Sequence, residues 1–388
     1  MSKTSMNLIK TPSFVFDIDA LIERVNGIKS LLVHGEKLCY AIKANPFLVN
    51  DLKDVVDCFE ICSTGEFRIA MRAGIPHEKV VLSGVYKEEG DIREIVGICK
   101  DKATYTVESP SQFQLLEKVA NEYRLTLDVI LRLSSGNQFG MDETTISSLV
   151  EIKQNALEIK GIQYYSGTQK KRDKILKEIE SIVDFANKLE ANGNTIERIE
   201  YGPGLRVAYF EGDEEVDEKA AIEEVSKAFA KSDNKREIVY EAGRFIAAYC
   251  GKYYTSIVDI KNTNGTQFCI VDGGINHLNY YGQMMAMKKP PIRQFSSNFI
   301  EKKDGDDELC TVCGALCTVS DVLVKALPLK DVQTGDILEF ARTGAYTVSE
   351  GIYLFLSRDM PRIYKKKEGK ITLVRDVFCT DTLNFEIK

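Results

Sequence analysis

No uninterrupted apolar run in the 388 residues approaches the ~18 needed to cross a bilayer. The opening MSKTSMNLIKTPSF has none of the apolar core that a signal peptide carries. Basic charge is also short: 51 lysines and arginines stand against 58 acidic residues, a formal charge of −7. General nucleic-acid binding needs a net basic face, so that class is excluded. Histidine is scarce, limited to His34, His77 and His277. That weighs against zinc at Cys310 and Cys313, a C-x2-C pair with Cys317 close behind, because a structural site needs a second ligand pair. The ten cysteines, in a chain without an export signal, are expected as reduced thiols. These absences predict a cytoplasmic protein with no membrane, nucleic-acid or metal partner.

What is present is ordinary globular composition, 44% apolar and 28% charged, in a chain long enough for two domains. Between residues 37 and 244, short β-branched runs alternate with amphipathic segments. The runs are KLCYAIKA (37–44), DCFEICS (57–63), KVVLSG (79–84), ATYTVES (103–109), LDVILRL (127–133), IKGIQYYSG (159–167), RIEYGPG (198–204) and REIVYEAG (236–243). Segments 65–73, 110–122 and 172–191 carry apolar residues at three- and four-residue spacing, which predicts helices. Eight strands alternating with helices predict an α/β fold, a (β/α)8 TIM-like barrel over 31–245. From 246 to 388 the texture changes to strand runs with little helical periodicity. Two of them join at Asn264-Gly265, and others follow at VSDVLVKAL, DILEFA and GIYLFLS. This predicts a second, mainly β domain. Residues 1–30 supply a strand at Ser13–Asp17 and a helix, the strand being expected to join that β domain. KKKEGK at 365–370 reads as a charged hairpin tip.

A barrel's active site lies at the C-terminal ends of its strands, and here those ends are polar or small. They carry Lys43, Ser63, Glu108, Arg132, Gly167-Thr168, Gly202-Pro203-Gly204 and Glu241 to Arg244. A lysine at the mouth of a buried strand can lose hydration, which lowers its pKa and frees the amine as a nucleophile. The glycine turn at 202–204 offers amides to an anion, Gly167-Thr168 adds an amide and a hydroxyl, and Arg244 adds a permanent cation. Glu241 is a carboxylate in a run otherwise built for burial. Together these match what pyridoxal 5'-phosphate requires: an amine for its aldehyde, a rim for its phosphate, and an acid to keep its ring nitrogen protonated.

Along nearly its whole length the chain resembles the barrel-type (fold-type III) pyridoxal-phosphate decarboxylases, the family of ornithine and diaminopimelate decarboxylases. YAIKAN at 40–45 is similar to the cofactor-lysine motif and EICSTGE at 60–66 to the second-strand motif. EAGR at 241–244 resembles E-P-G-R with Ala242 in place of proline. CGALCTVSD at 313–321 resembles the segment of the catalytic cysteine, and TGAY at 343–346 the D-x-G-A-Y element. The resemblance implies the two-domain architecture shared with alanine racemase. It implies that Lys43 carries the cofactor and that Glu241 pairs with the ring nitrogen. Thr168, Gly202, Gly204, Arg244 and Tyr346 would hold the phosphate. Cys317 would reach a partner's active site across a homodimer interface, with Thr318, Asp321 and Tyr281 on the substrate's side.

Departures from the pattern bear on substrate. The family's glycine triplet is reduced by Pro203, which removes an amide donor. The histidine that stacks on the ring is replaced by Tyr165, which can stack without supplying charge. After the cysteine, the family's aspartate or glutamate meets a substrate's distal ammonium; here Thr318 is neutral, which argues against a free diamino acid. GTQ (167–169), CTVSD (317–321) and DGGINHLNYYGQ (272–283) are most similar to the subgroup that decarboxylates a glutamyl group tethered to a carrier protein, although Gln163 replaces its usual histidine. The expected activity is therefore decarboxylation of an amino acid, free or carrier-bound, in a biosynthetic pathway. Alternatives are diaminopimelate decarboxylation, a racemase on the same barrel, against which Glu241 argues, and an inactive regulatory homologue.

Overall fold

The computed structural model describes residues 6, 8–32, 34–152, 156–232, 235–280, 286 and 288–386. Its first strand, β1 (Ser13–Asp17), precedes eight parallel strands that close on themselves. These are β2 (Lys37–Ala41), β3 (Cys58–Ile61), β4 (Val80–Leu82), β5 (Thr104–Val107), β6 (Leu127–Leu133), β7 (Leu157–Tyr165), β8 (Arg198–Gly202) and β9 (Glu237–Ala242). Seven fall within the runs read from the sequence, β7 starts two residues ahead of its run at 159–167, and β9 returns to pair with β2. Such strands are buried on both faces, which is why they read as near-continuous apolar runs. Local signals start the intervening helices. Ser63 Oγ accepts from the Glu66 amide at the head of Thr64–Arg72, and Ser109 Oγ accepts from Gln112 where Pro110 opens Pro110–Tyr123.

Inside the barrel, successive layers follow from the two-residue period of a strand. Cys39, Cys58, Val81, Ile130 and Val239 form one apolar cluster. Two residues further along the strands the inward positions become Glu60, Ser83, Arg132 and Glu241, joined from the remaining strands by Thr106, Gln163 and Glu200, all buried. A layer this polar is costly unless its members pair. Many of their polar atoms do: Ser83 pairs with Thr106 at 3.1 Å, Arg132 with Glu108 at 2.9 Å, and Glu200 with Arg198 at 2.8 Å.

By contact clustering the barrel unit comprises Ile22–Val207 and Val216–Ile246; the other unit comprises Met1–Leu21, Ala208–Glu215 and Ala247–Lys388. In the latter, β10 (Gly251–Thr263), β11 (Thr266–Val271), β12 (Ile292–Phe295), β13 (Asp307–Cys313), β14 (Val322–Lys330), β15 (Ile337–Ala341), β16 (Arg362–Lys367) and β17 (Lys370–Arg375) form one sheet with β1. β1 lies between β10 and β16, and this central position buries both of its faces. Phe14 packs on Tyr253 with ring centroids 5.0 Å apart, and Tyr253 meets Phe340 at 6.3 Å. The turn at Asn264-Gly265 joins β10 to β11, and the 365–370 segment is the tip of the β16–β17 hairpin.

One expected strand is absent. GIYLFLS (351–357) forms turns and a short 3-10 segment at Phe355–Ser357, with Leu356 and Ser357 in the left-handed region. Its unbroken apolar run from Ile352 to Leu356 imitates a strand, but Ile352, Leu354, Phe355 and Leu356 are all exposed and no sheet edge receives them. Among the described residues, no helix is long and apolar enough to cross a membrane, and no cluster of His, Cys, Asp and Glu is arranged to hold a metal.

Candidate active site

β2 ends at Ala41, and Lys43 stands on the 3-10 turn Ile42–Ala44 that follows it. Its ammonium is not stripped of partners. Nζ donates to both oxygens of Glu60 at 3.0 and 2.9 Å and lies 3.5 Å from Cys62 Sγ. Burial alone would raise the Glu60 carboxyl, but the charge and hydrogen bonds of Lys43 outweigh it and hold Glu60 below the usual range. Cys62 feels the reverse. Burial and the Glu60 charge push its thiol well up, so it is no thiolate.

Glu241, near the end of β9, is pushed well above the usual carboxylate range by burial and by the nearby Glu60 and Glu200 charges. One oxygen accepts from Gln163 Nε2 at 2.9 Å. The other receives no hydrogen bond, and neither does Oε1 of Glu200. Glu200 is itself raised by burial, so both carboxyls favour the protonated form. Gln163 Oε1 is also buried without a donor. Tyr165 lies among these groups. Burial raises its phenol, and the charges of Lys43, Glu60, Arg244 and Glu241 all act on it.

Two turns form the adjoining rim. Gly204 has φ +59°, and a Cβ there would stand 2.2 Å from Gly167 O. At Gly202 a Cβ would meet the Tyr165 ring at 2.5 Å. Thr168 lies in the facing turn. Gln169 locks the turns together, its amide group both donating to Val207 O at 2.9 Å and accepting from Val207 N at 2.6 Å. Below them Lys170 is buried against Glu178 at 2.6 Å. The structure thus gathers Lys43, Tyr165, Gly202, Gly204, Thr168, Glu241 and Arg244 in the barrel unit.

Sequence reasoning gave no role to Cys62, Glu200, Lys170 or Glu178. The period-two register could have found Glu200, since it shares an inward face with Gly202 two residues on. Nothing local marks Lys170, which sits in a run of basic residues that reads as solvated.

Cys317, Thr318, Asp321 and Tyr346 belong to the β unit. Cys317 is exposed, next to a half-buried Thr318 and a Val319 that is 97% exposed. Asp321 is committed to its own loop, accepting from Ile275 N at 2.8 Å and Leu316 N at 2.7 Å, which shapes the turn presenting Cys317. Tyr346 has φ +67°, a strained state for a bulky residue of the kind that functional sites retain. Tyr281 lies outside the described residues.

An amine, a buried acid that keeps its proton, an aromatic ring and a glycine rim at one barrel mouth define an enzyme class built around a phosphorylated aldehyde. The residues fit pyridoxal phosphate, and the unsatisfied oxygen of Gln163 leaves a buried place for a polar ligand atom. A family model described as the pyridoxal-binding domain of pyridoxal-dependent decarboxylases matches residues 18–248. The chain belongs to this family of pyridoxal-phosphate-dependent amino-acid decarboxylases. It is 26% identical to an L-glutamyl-BtrI acyl-carrier-protein decarboxylase of Niallia circulans, over 94% of this chain and 91% of the relative. It is 26% identical to a diaminopimelate decarboxylase of Campylobacter jejuni, over 94% and 93%. A 2-((L-alanin-3-ylcarbamoyl)methyl)-2-hydroxybutanedioate decarboxylase of Staphylococcus aureus is 23% identical over 90% and 92%. In fold, the chain matches the Helicobacter pylori diaminopimelate decarboxylase crystallised with L-lysine, at TM-score 0.86 and 23% identity, covering 99% of this chain and 98% of that one.

Proposed function

We propose that this decarboxylase acts on an aminoacyl group whose distal end is uncharged because it is tethered, a glutamyl-type group on an acyl carrier protein. The observation that carries this reading is Thr318, half-buried and neutral on the loop beside Cys317. A buried distal ammonium facing a hydroxyl alone would keep most of its desolvation cost. The Niallia relative acts on a carrier-bound glutamyl group, and the Staphylococcus relative on an alanine unit joined at its third carbon through an amide. Neither substrate presents a free distal amine. A carbon-dioxide release screen should therefore give turnover with an aminoacylated carrier protein and little with free diamino acids. Strong release from free diaminopimelate or lysine would overturn the substrate class.

In this reading Lys43 carries the cofactor, Glu241 holds the ring-nitrogen proton, and Tyr165 lies against the ring. Arg244, Thr168, Gly202, Gly204 and Tyr346 hold the phosphate. When bound, pyridoxal phosphate supplies an electron sink for the pair released as carbon dioxide leaves. Cys317 Sγ then delivers a proton to the α-carbon, with Thr318 and Tyr281 toward the side chain and Asp321 holding the loop. The protein works in the cytoplasm, where Cys317 stays reduced.

The exposure of Cys317 and Val319 supports a loop that reaches into a partner's site in a two-fold homodimer. Inactive Lys43→Ala and Cys317→Ala subunits should then complement when mixed. In the hybrid dimer one site takes both defects and the other takes neither, so about a quarter of wild-type activity returns at equal mixing. Verified subunit exchange without recovery would put both groups in one chain.

A further inference from the structure

We propose that Lys170, through its buried pair with Glu178, is a positioning residue that sets how tightly the two glycine turns of the barrel mouth hold a phosphate. The inference rests on those turns being the phosphate site. Lys170 is 6% exposed. Its Nζ donates to Glu178 Oε2 at 2.6 Å, to Gly202 O at 3.0 Å and to Ser166 Oγ at 3.3 Å, and it lies 3.5 Å from the Tyr201 hydroxyl. Its backbone N–H donates to Gly204 O at 3.0 Å. One residue thus engages both glycine carbonyls of the Gly202-Pro203-Gly204 turn. An acceptor oxygen held this way is not turned toward an anion, which matters where Pro203 has already removed an amide donor.

The lysine stem completes the arrangement. A Cβ at Gly204 would stand 2.9 Å from Lys170 Cε, so the turn rests directly on it. Glu178 ties the same lysine to the neighbouring strands, accepting from Tyr201 OH at 2.8 Å and from Ser166 Oγ. A buried ion pair is seldom an efficient way to gain stability, because desolvation offsets much of the attraction. Holding two backbone turns in register is a function that an apolar pair could not replace.

The test titrates cofactor-free protein, by tyrosine fluorescence, with pyridoxal phosphate, with pyridoxal and with inorganic phosphate. The informative variant is Lys170→Met with Glu178→Gln, since Lys170→Met alone leaves a buried charge uncompensated and risks misfolding. With an unchanged circular dichroism spectrum, the double variant should bind pyridoxal phosphate about tenfold more weakly and pyridoxal unchanged. Pyridoxal-phosphate affinity within twofold of wild type overturns the proposal, as does equal weakening of both ligands, the mark of a purely structural pair. In the unaltered protein, inorganic phosphate should slow hydrogen exchange in segments 166–170 and 202–204 together; no slowing in the first overturns it independently of any variant. Wild-type protein that binds pyridoxal as tightly as its phosphate would instead remove the phosphate site itself.

Discussion

Lys43→Ala should abolish decarboxylation and, with it, the visible absorbance near ~420 nm that an attached cofactor gives. The effect is expected to be total if Lys43 is the amine that takes the aldehyde, as proposed above. Lys43 is tied to Glu60 through both carboxylate oxygens, which fixes it beside Tyr165 and Glu241. A rival amine is Lys87, on the loop after β4. Burial lowers it to about 8, and it shares Cys62 as an electrostatic neighbour with Lys43. Lys87 Nζ, however, donates to Gly84 O at 2.7 Å and is held on its own loop. Turnover by the variant above a few per cent of wild type, measured as carbon dioxide release, would shift the cofactor lysine to Lys87. The cofactor-free variant should keep the barrel, but Glu60 loses the cation that holds its pKa down. Burial then raises that carboxyl, so the variant's Glu60 should take up a proton at a higher pH than in the wild type.

The barrel was legible because most of its strand positions are buried on both faces, so the strands announce themselves as apolar runs between helical segments. The mouth was legible for a related reason: Lys43, Gly202 and Glu241 interrupt those runs at the ends where a barrel keeps its chemistry. Two kinds of feature were not. Surface segments of the β unit mislead pattern reading. Residues 351–357 carry an apolar run that reads as a strand but find no sheet edge. Long-range polar partnerships leave no local trace either. Lys170 meets Glu178 eight residues on and the Gly202 carbonyl thirty-two residues on, and only the closed barrel puts all three together. Asp321 shows the same. Its motif marks it for the substrate's side, and what no motif announces is that its carboxylate accepts from two amides of its own unit.

Glu241→Gln should lower the decarboxylation rate by on the order of a hundredfold or more, since an electrostatic partner in a dry site is worth ~3 kcal/mol or above. The amide is nearly isosteric, so the contact with Gln163 and the barrel around it should survive, and cofactor affinity should stay within threefold. What is lost is a proton that can be held or given up. In the cofactor-free protein the carboxyl of Glu241 is raised far above its ordinary 4.5 by burial and by Glu60 and Glu200. A group whose pKa is raised by folding binds more protons in the native state across the interval between its two values. The native state therefore loses stability as pH climbs through that interval from 4.5 upward. The amide cannot ionise, so the cofactor-free variant should unfold at the same temperature as wild type or a higher one, with a flatter pH dependence in that window. A slower but sturdier protein separates a chemical role from a structural one. If the rate stays within threefold of wild type while the stability profile flattens as expected, Glu241 is a buried proton store that the reaction does not draw on, and the acid at the ring nitrogen must be sought at Glu200.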